Sequence, residues 1–143
     1  MPGGRGVCWR QPRVEKTMNN PENFKAVLLV DDDRQLVAAL QTALTGENFL
    51  VDAAYDGAEA FLKVKVHQYD AIICDMMMPK VQGDELYRQA TALHPELIGR
   101  FLFMTGFADD PPVRAFLSRI SARYLIKPFA VQELIDAVKA LVA

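Results

Sequence analysis

Four short apolar runs in this chain each lead into a polar residue capable of chemistry. Residues 26–30 end on Asp31-Asp32-Asp33, residues 71–74 on Asp75, residues 101–104 on Thr105 and residues 124–126 on Lys127. Runs of this length read as buried strands, and the stretches between them carry apolar residues at helical spacing. Strands joined by helical crossovers lie parallel, so their carboxyl ends line one edge of one sheet, the edge where such sheets bind ligands. Four positions scattered in sequence are thereby predicted to meet in space.

The remaining pattern fills in five strands and five helices. Leu36, Val37, Leu40 and Leu44 mark a first helix that Gly46 ends, and residues 50–54 form a second strand. Asp56-Gly57 reads as a turn before a short helix carrying Ala58, Phe61, Leu62 and Lys65, and the third strand covers residues 69–74. Pro79 and Gly83 interrupt the chain before Leu86, Ala90 and Leu93 supply a third helix, closed by Pro95. Asp110 before Pro111 reads as a helix cap followed by proline in the first turn, giving a fourth helix over residues 111–120. Strand five spans residues 123–126, and Val131, Leu134, Ile135, Val138 and Leu141 mark a last helix. The expected fold is α/β, a doubly wound five-stranded parallel sheet of order 2-1-3-4-5 with helices on both faces.

Length and charge narrow the function classes. The 143 residues suit one domain with a single core. Up to Lys25 there are five Lys/Arg against two Glu; from Ala26 onward there are eleven against sixteen Asp/Glu. The folded part is acidic, which argues against direct nucleic-acid binding, because phosphate neutralisation needs a basic face. Residues 1–24, rich in Gly, Pro, Arg and Asn, read as a disordered tail or a start-site extension, with Met18 an alternative start and residues 25–143 the folded domain. Cys8 and Cys74 give neither a disulfide framework nor a metal pattern, and Cys74 reads as a core residue. No apolar stretch reaches the roughly 18 residues of a membrane span, so the expected location is cytoplasmic.

Carboxylates gathered at one edge repel one another. A pair about 4 Å apart costs roughly 1 kcal/mol in water and roughly 4 kcal/mol at an effective dielectric of 20, so a compensating cation is required. Mg2+ suits the oxygen donors and is commonly held by one or two carboxylates together with a phosphate. Beside it, the Asp75 carboxylate can act as a nucleophile toward phosphorus and form an acyl phosphate. Lys127 can pair with phosphoryl oxygens, and the Thr105 hydroxyl can donate to another. Taken singly, each residue has an ordinary reading as a cap, a turn residue or a solvated lysine. Solvated residues have no reason to share one end of four strands.

The same stretches carry a family likeness. Val27-Leu28-Leu29-Val30-Asp31-Asp32-Asp33, Ile72-Ile73-Cys74-Asp75-Met76-Met77-Met78-Pro79, Lys80-Val81-Gln82-Gly83, Phe103-Met104-Thr105-Gly106 and Tyr124-Leu125-Ile126-Lys127-Pro128-Phe129 together make residues 25–143 resemble a response-regulator receiver domain of two-component signalling. The resemblance implies a flavodoxin-like fold with Asp75 as phosphoacceptor. It implies Mg2+ held by Asp31, Asp32, Asp75 and the Met77 backbone carbonyl, with Lys127 and Thr105 contacting the phosphoryl group and Asp33 acting as a cap. The implied donor is a phosphohistidine on a sensor histidine kinase or phosphotransfer protein; His67 and His94 lack the context for that role and read as surface residues. It also implies a switch in which Thr105 and Tyr124 reshape the surface of helix four, strand five and helix five for a downstream protein. A cis Lys127-Pro128 bond is implied as well. The chain ends with helix five, so output is expected through protein contact or onward phosphotransfer, and a weak homodimer through the last helices is open.

Several residues depart from the family pattern. Met77 and Phe107, both bulky, stand where relatives often carry polar residues along the route of the hydrolytic water, which predicts slow loss of the phosphoryl group. Ser121 takes the place of a glycine and is strained if its φ is positive. Asp109-Asp110-Pro111-Pro112 makes the start of helix four unusual, so partner choice is expected to be atypical. Two other classes compete. A haloacid-dehalogenase-like phosphatase would use Asp31-Asp32-Asp33, but it needs an acidic pair after its lysine, for which only Glu133 and Asp136 are available. A receiver-like binding module that is never phosphorylated is the other.

Overall fold

The computed structural model describes residues 24–77, 82–106 and 109–143. The tail expected over residues 1–24, the break expected at Pro79 and the water route expected at Phe107 therefore lie outside the described residues, except for Phe24. Strands β1 (Ala26–Val30), β2 (Leu50–Ala54), β3 (Ala71–Asp75), β4 (Phe101–Thr105) and β5 (Arg123–Ile126) alternate with helices α1 (Arg34–Gly46), α2 (Gly57–Val66), α3 (Gly83–Leu93), α4 (Pro111–Arg119) and α5 (Val131–Val142). All pairings are parallel, and the sheet runs β2-β1-β3-β4-β5, the order expected from the sequence.

The strands form where they do because both of their faces are covered. Side chains alternate across a strand, so Leu28, Val30, Ile72, Cys74, Phe101 and Phe103 join one buried cluster with Ala60, Val64, Leu86 and Phe116 of α2, α3 and α4. Val27, Leu29, Ile73, Leu102 and Met104 join the other with Leu40, Leu44, Leu134 and Val138 of α1 and α5. Each fully buried side chain of this kind contributes about 1.5–3 kcal/mol relative to exposure. On the first face, the Tyr87 ring of α3 meets Phe101 edge-on at 4.9 Å between centroids and Phe116 at 5.7 Å, tying α3 and α4 to β4. Strand β5 is the edge, with Arg123, Tyr124 and Ile126 exposed.

Helix ends follow local chemistry, with some shifts from expectation. Asp33 caps α1, accepting from the Gln35 and Leu36 amides at 3.1 Å, and Asp110 caps α4 through the Val113 amide at 3.3 Å. Gly46 is the last helical residue of α1 rather than its left-handed terminator. That conformation falls on Asn48, φ 69°, while the Asn48 and Phe49 amides return to the carbonyls of Thr45 and Leu44. Asn tolerates positive φ because its short polar side chain can satisfy itself locally. Asp56-Gly57 is the start of α2 rather than a free turn, since the Asp56 carboxylate accepts from the Glu59 amide at 2.8 Å. The third strand begins at Ala71, two residues later than expected. Tyr69 instead donates its hydroxyl to Asp52 at 2.7 Å, and Asp70 accepts from the Ala26 amide at 2.7 Å, fastening the start of β1. Helix α4 ends at Arg119, with Ile120 as its cap.

Candidate functional site

Strand register brings the site together. Val30 lies opposite Cys74, so Asp31 and Asp75 emerge side by side; Asp75 lies opposite Met104, one residue before Thr105; Thr105 lies opposite Ile126, one before Lys127. Among the described residues, the buried polar or charged side chains are Asp31, Asp75 and Thr105, exposed by 0%, 7% and 0%. Asp31, Asp32 and Asp75 each bring a carboxylate oxygen within 4.8 Å of the others, with Asp32 on the open side. The Lys127 ammonium reaches in to Asp31 at 2.7 Å and to Asp75 at 3.4 Å, and the Lys127 amide donates to the Thr105 carbonyl at 2.8 Å. The Lys127-Pro128 bond is cis.

Three acids and one lysine leave the pocket about two negative charges in excess. Burial pushes the Asp75 carboxyl up to about 6, and the charge of Asp31 adds to the rise. Lys127 and the Met77 amide, 3.4 Å from Oδ1, act in the opposite direction without cancelling it. Burial works against the charged form of Lys127, but its hydrogen bond to Asp31 and the charges of Asp75 and Asp31 prevail and hold the ammonium above its usual range. Buried carboxylates in excess of their cation, all offering oxygen, fit a hard divalent ion such as Mg2+.

The end of β3 that carries Asp75 is braced from behind. The Cys74 thiol donates to the Asp75 carbonyl at 3.2 Å; burial, then the charges of Asp75, Asp31 and Asp84, raise its pKa well above the usual thiol value, which suits the core role expected of it. The Gly83 amide donates to the Met76 carbonyl at 3.1 Å, and a Cβ on Gly83 would lie 2.7 Å from the Asp75 carbonyl oxygen. The helix α3 start can press on the Asp75 backbone only without a side chain there. In the sequence Gly83 reads as a chain break; its packing against Asp75 is a distance that no local pattern announces.

Other expected residues fall as follows. Asp33 is a cap, as read. Met77 is 45% exposed at the mouth. Ser121 does hold a positive φ, 53°. Tyr124, 45% exposed, lies on the same sheet face as Thr105 and borders a groove of about 440 Å3 shared with Arg114, Leu117, Ser118, Ser121 and Ala122. His67 is exposed, whereas His94 is half-buried, with Nε2 3.0 Å from the Val64 carbonyl, so it fastens α3 to α2 instead of being a free surface residue. The acids that a dehalogenase-like reading needs are engaged on α5: Glu133 accepts from the Ala130 backbone amide and Asp136 from the Gln132 side-chain Nε2, each at 2.9 Å.

A doubly wound sheet with acids after its first and third strands, a threonine after its fourth and a lysine after its fifth is the layout of a signalling receiver. The chain belongs to the response regulator receiver domain family, which residues 27–139 match. It is 32% identical to the response regulator ArlR of Staphylococcus aureus over 115 residues, covering 80% of this chain and 51% of that protein. The chain thus spans about half the length of the curated relatives it matches. Among solved structures it is similar to a response regulator receiver domain protein from Methanospirillum hungatei, TM-score 0.77 and 25% identity over 84% of this chain and 94% of that one. It is also similar to the response regulator TrrA of Thermotoga maritima, solved in complex with Mg2+-BeF, TM-score 0.71 and 29% identity over 82% and 99%. Among the described residues no helix is long and apolar enough to cross a membrane.

Proposed function

We propose that residues 25–143 act in the cytoplasm as a phosphorylation switch that accepts a phosphoryl group on Asp75 from a phosphohistidine of a sensor histidine kinase or phosphotransfer protein. The observation that carries this reading is the gathering of the buried polar side chains, Asp31, Asp75 and Thr105, around the Lys127 ammonium at one sheet edge. An Asp75 carboxylate oxygen forms the new bond to phosphorus while the bond from phosphorus to the donor nitrogen breaks, its electron pair leaving with the imidazole. Lys127 pairs with the phosphoryl oxygens and Thr105 donates its hydroxyl to one of them. Asp31, Asp32, Asp75 and the Met77 carbonyl would hold Mg2+, which when bound neutralises the acids and the incoming oxygens. Thr105, drawn to the phosphoryl group, frees space that Tyr124 enters, and the α4-β5-α5 surface changes for a downstream protein. The bulk of Met77 at the mouth slows hydrolysis of the acyl phosphate.

Incubation with acetyl phosphate and Mg2+, followed by intact-protein mass spectrometry, should add a single phosphate to the parent and none to Asp75→Asn. Equal labelling of both would end the proposal. In a chase of the labelled protein, Met77→Asn should release phosphate several-fold faster than the parent; an unchanged rate would remove Met77 from the control of lifetime.

A further inference from the structure

A dianionic donor must approach a pocket that is itself negative. Lys127 is poorly placed to attract it, being engaged by Asp31 and Asp75 at 2.7 and 3.4 Å. At the rim stands another cation in an unusual position. Arg34 is the first residue of α1, directly after the Asp33 cap, where the helix dipole disfavours positive charge. Its guanidinium carbon lies 3.9 Å from the centre of the Tyr55 ring. Tyr55 follows Ala54, whose carbonyl accepts from the Asp31 amide at 3.2 Å, so Tyr55 and Arg34 both continue from the carboxyl edge of the sheet that carries the acids, on its β2 side. The Tyr55 amide donates to Glu59 at 2.8 Å, which fixes the backbone beneath the ring.

Arg34 is exposed, and among the described residues it makes no ion pair, although Asp32 and Asp33 immediately precede it. Stacking on an aromatic face orients a guanidinium while leaving its N–H fork unspent, the form in which arginine binds phosphate through two parallel hydrogen bonds. We infer that Arg34, held on Tyr55, is the residue that captures the phosphoryl group of the incoming donor and steers it to the acceptor. The inference rests on the phosphoacceptor reading of Asp75 and adds to it the residue that recognises the donor.

The test uses the whole chain with acetyl phosphate as donor, where the Asp75-to-phosphorus bond forms as the phosphorus-to-acetyl oxygen bond breaks and acetate leaves. At fixed Mg2+, the second-order labelling rate is measured between roughly 0.01 M and 1 M salt, where the screening length falls from about 30 to about 3 Å. Arg34→Gln should be about fivefold slower than the parent at low salt and converge with it at high salt, as expected for loss of one steering charge. Arg34→Lys, which keeps the charge but not the stacked fork, should recover the rate only in part, and Tyr55→Leu should lose part of it. Final labelling and phosphate release should not change. A low-salt rate equal to the parent, or a deficit that persists at high salt, would overturn the inference while leaving Asp75 in place. Labelling of Asp75→Asn in the same assay would instead sink the reading beneath it.

Discussion

Asp75 holds its proton more tightly in the folded chain than in the unfolded one, because burial and the Asp31 charge both disfavour the carboxylate. An acid raised from about 3.9 in the unfolded chain to about 6 in the fold binds more protons when native across that window, so stability falls as pH rises from 4 to 6 and stays lower above it. The full cost is on the order of 3 kcal/mol. With a chelator present, Asp75→Asn should therefore be more stable than the parent at pH 7 and no more stable near pH 4. Mg2+, proposed to be held by the ionised acids, should raise the parent's urea midpoint more at pH 7 than at pH 4 and barely affect that of Asp75→Asn. Urea melts at pH 4 and pH 7, with chelator and with Mg2+, check this; parallel curves for both proteins would contradict it.

At the scale of elements, α4 is the least conventional piece. It opens on Asp110-Pro111-Pro112 and closes with the Ser121 and Ala122 amides bonded to the carbonyls of Ser118 and Leu117, a left-handed turn that puts Ser121 at φ 53°. A non-glycine residue there carries roughly 1–2 kcal/mol of strain. Replacement by glycine removes it but loosens the unfolded chain by about 0.4–1 kcal/mol. Ser121→Gly should raise the urea midpoint by a net stabilisation of about 1 kcal/mol with an unchanged slope. No gain would mean that the turn is relaxed by its surroundings. This end of α4 also borders the groove beside Tyr124, so its rigidity bears on the face proposed to change.

For the whole molecule, the proposed switch asks one small site to bias a sheet edge. Carrying a two-state equilibrium from 1:99 to 99:1 takes about 5.5 kcal/mol of differential interaction, within reach of a doubly charged group met by a lysine, a hydroxyl and a divalent ion. Alternation along β4 and β5 places Thr105 and Tyr124 on the face that α4 covers, so a movement of the first has a direct route to the second. Hydrogen exchange should show altered protection over residues 111–131 in the labelled parent and little change there in labelled Thr105→Ala. A change confined to the site residues in the parent would refute the coupling.

Much of this architecture is legible in the chain because it rests on local rules. Apolar runs of strand length, helical spacing between them and caps such as Asp33 and Asp110 depend on near neighbours, and parallel crossovers then oblige the polar residues to share an edge. Distances between elements are another matter. That Lys127 pairs with Asp31 more closely than with Asp75, that Gly83 presses on the Asp75 backbone, that His94 fastens two helices and that Arg34 lies on Tyr55 were decided only when register and packing set separations between residues remote in sequence. Periodicity specifies which face a side chain takes; which partner it meets across the gap depends on how the whole fold closes.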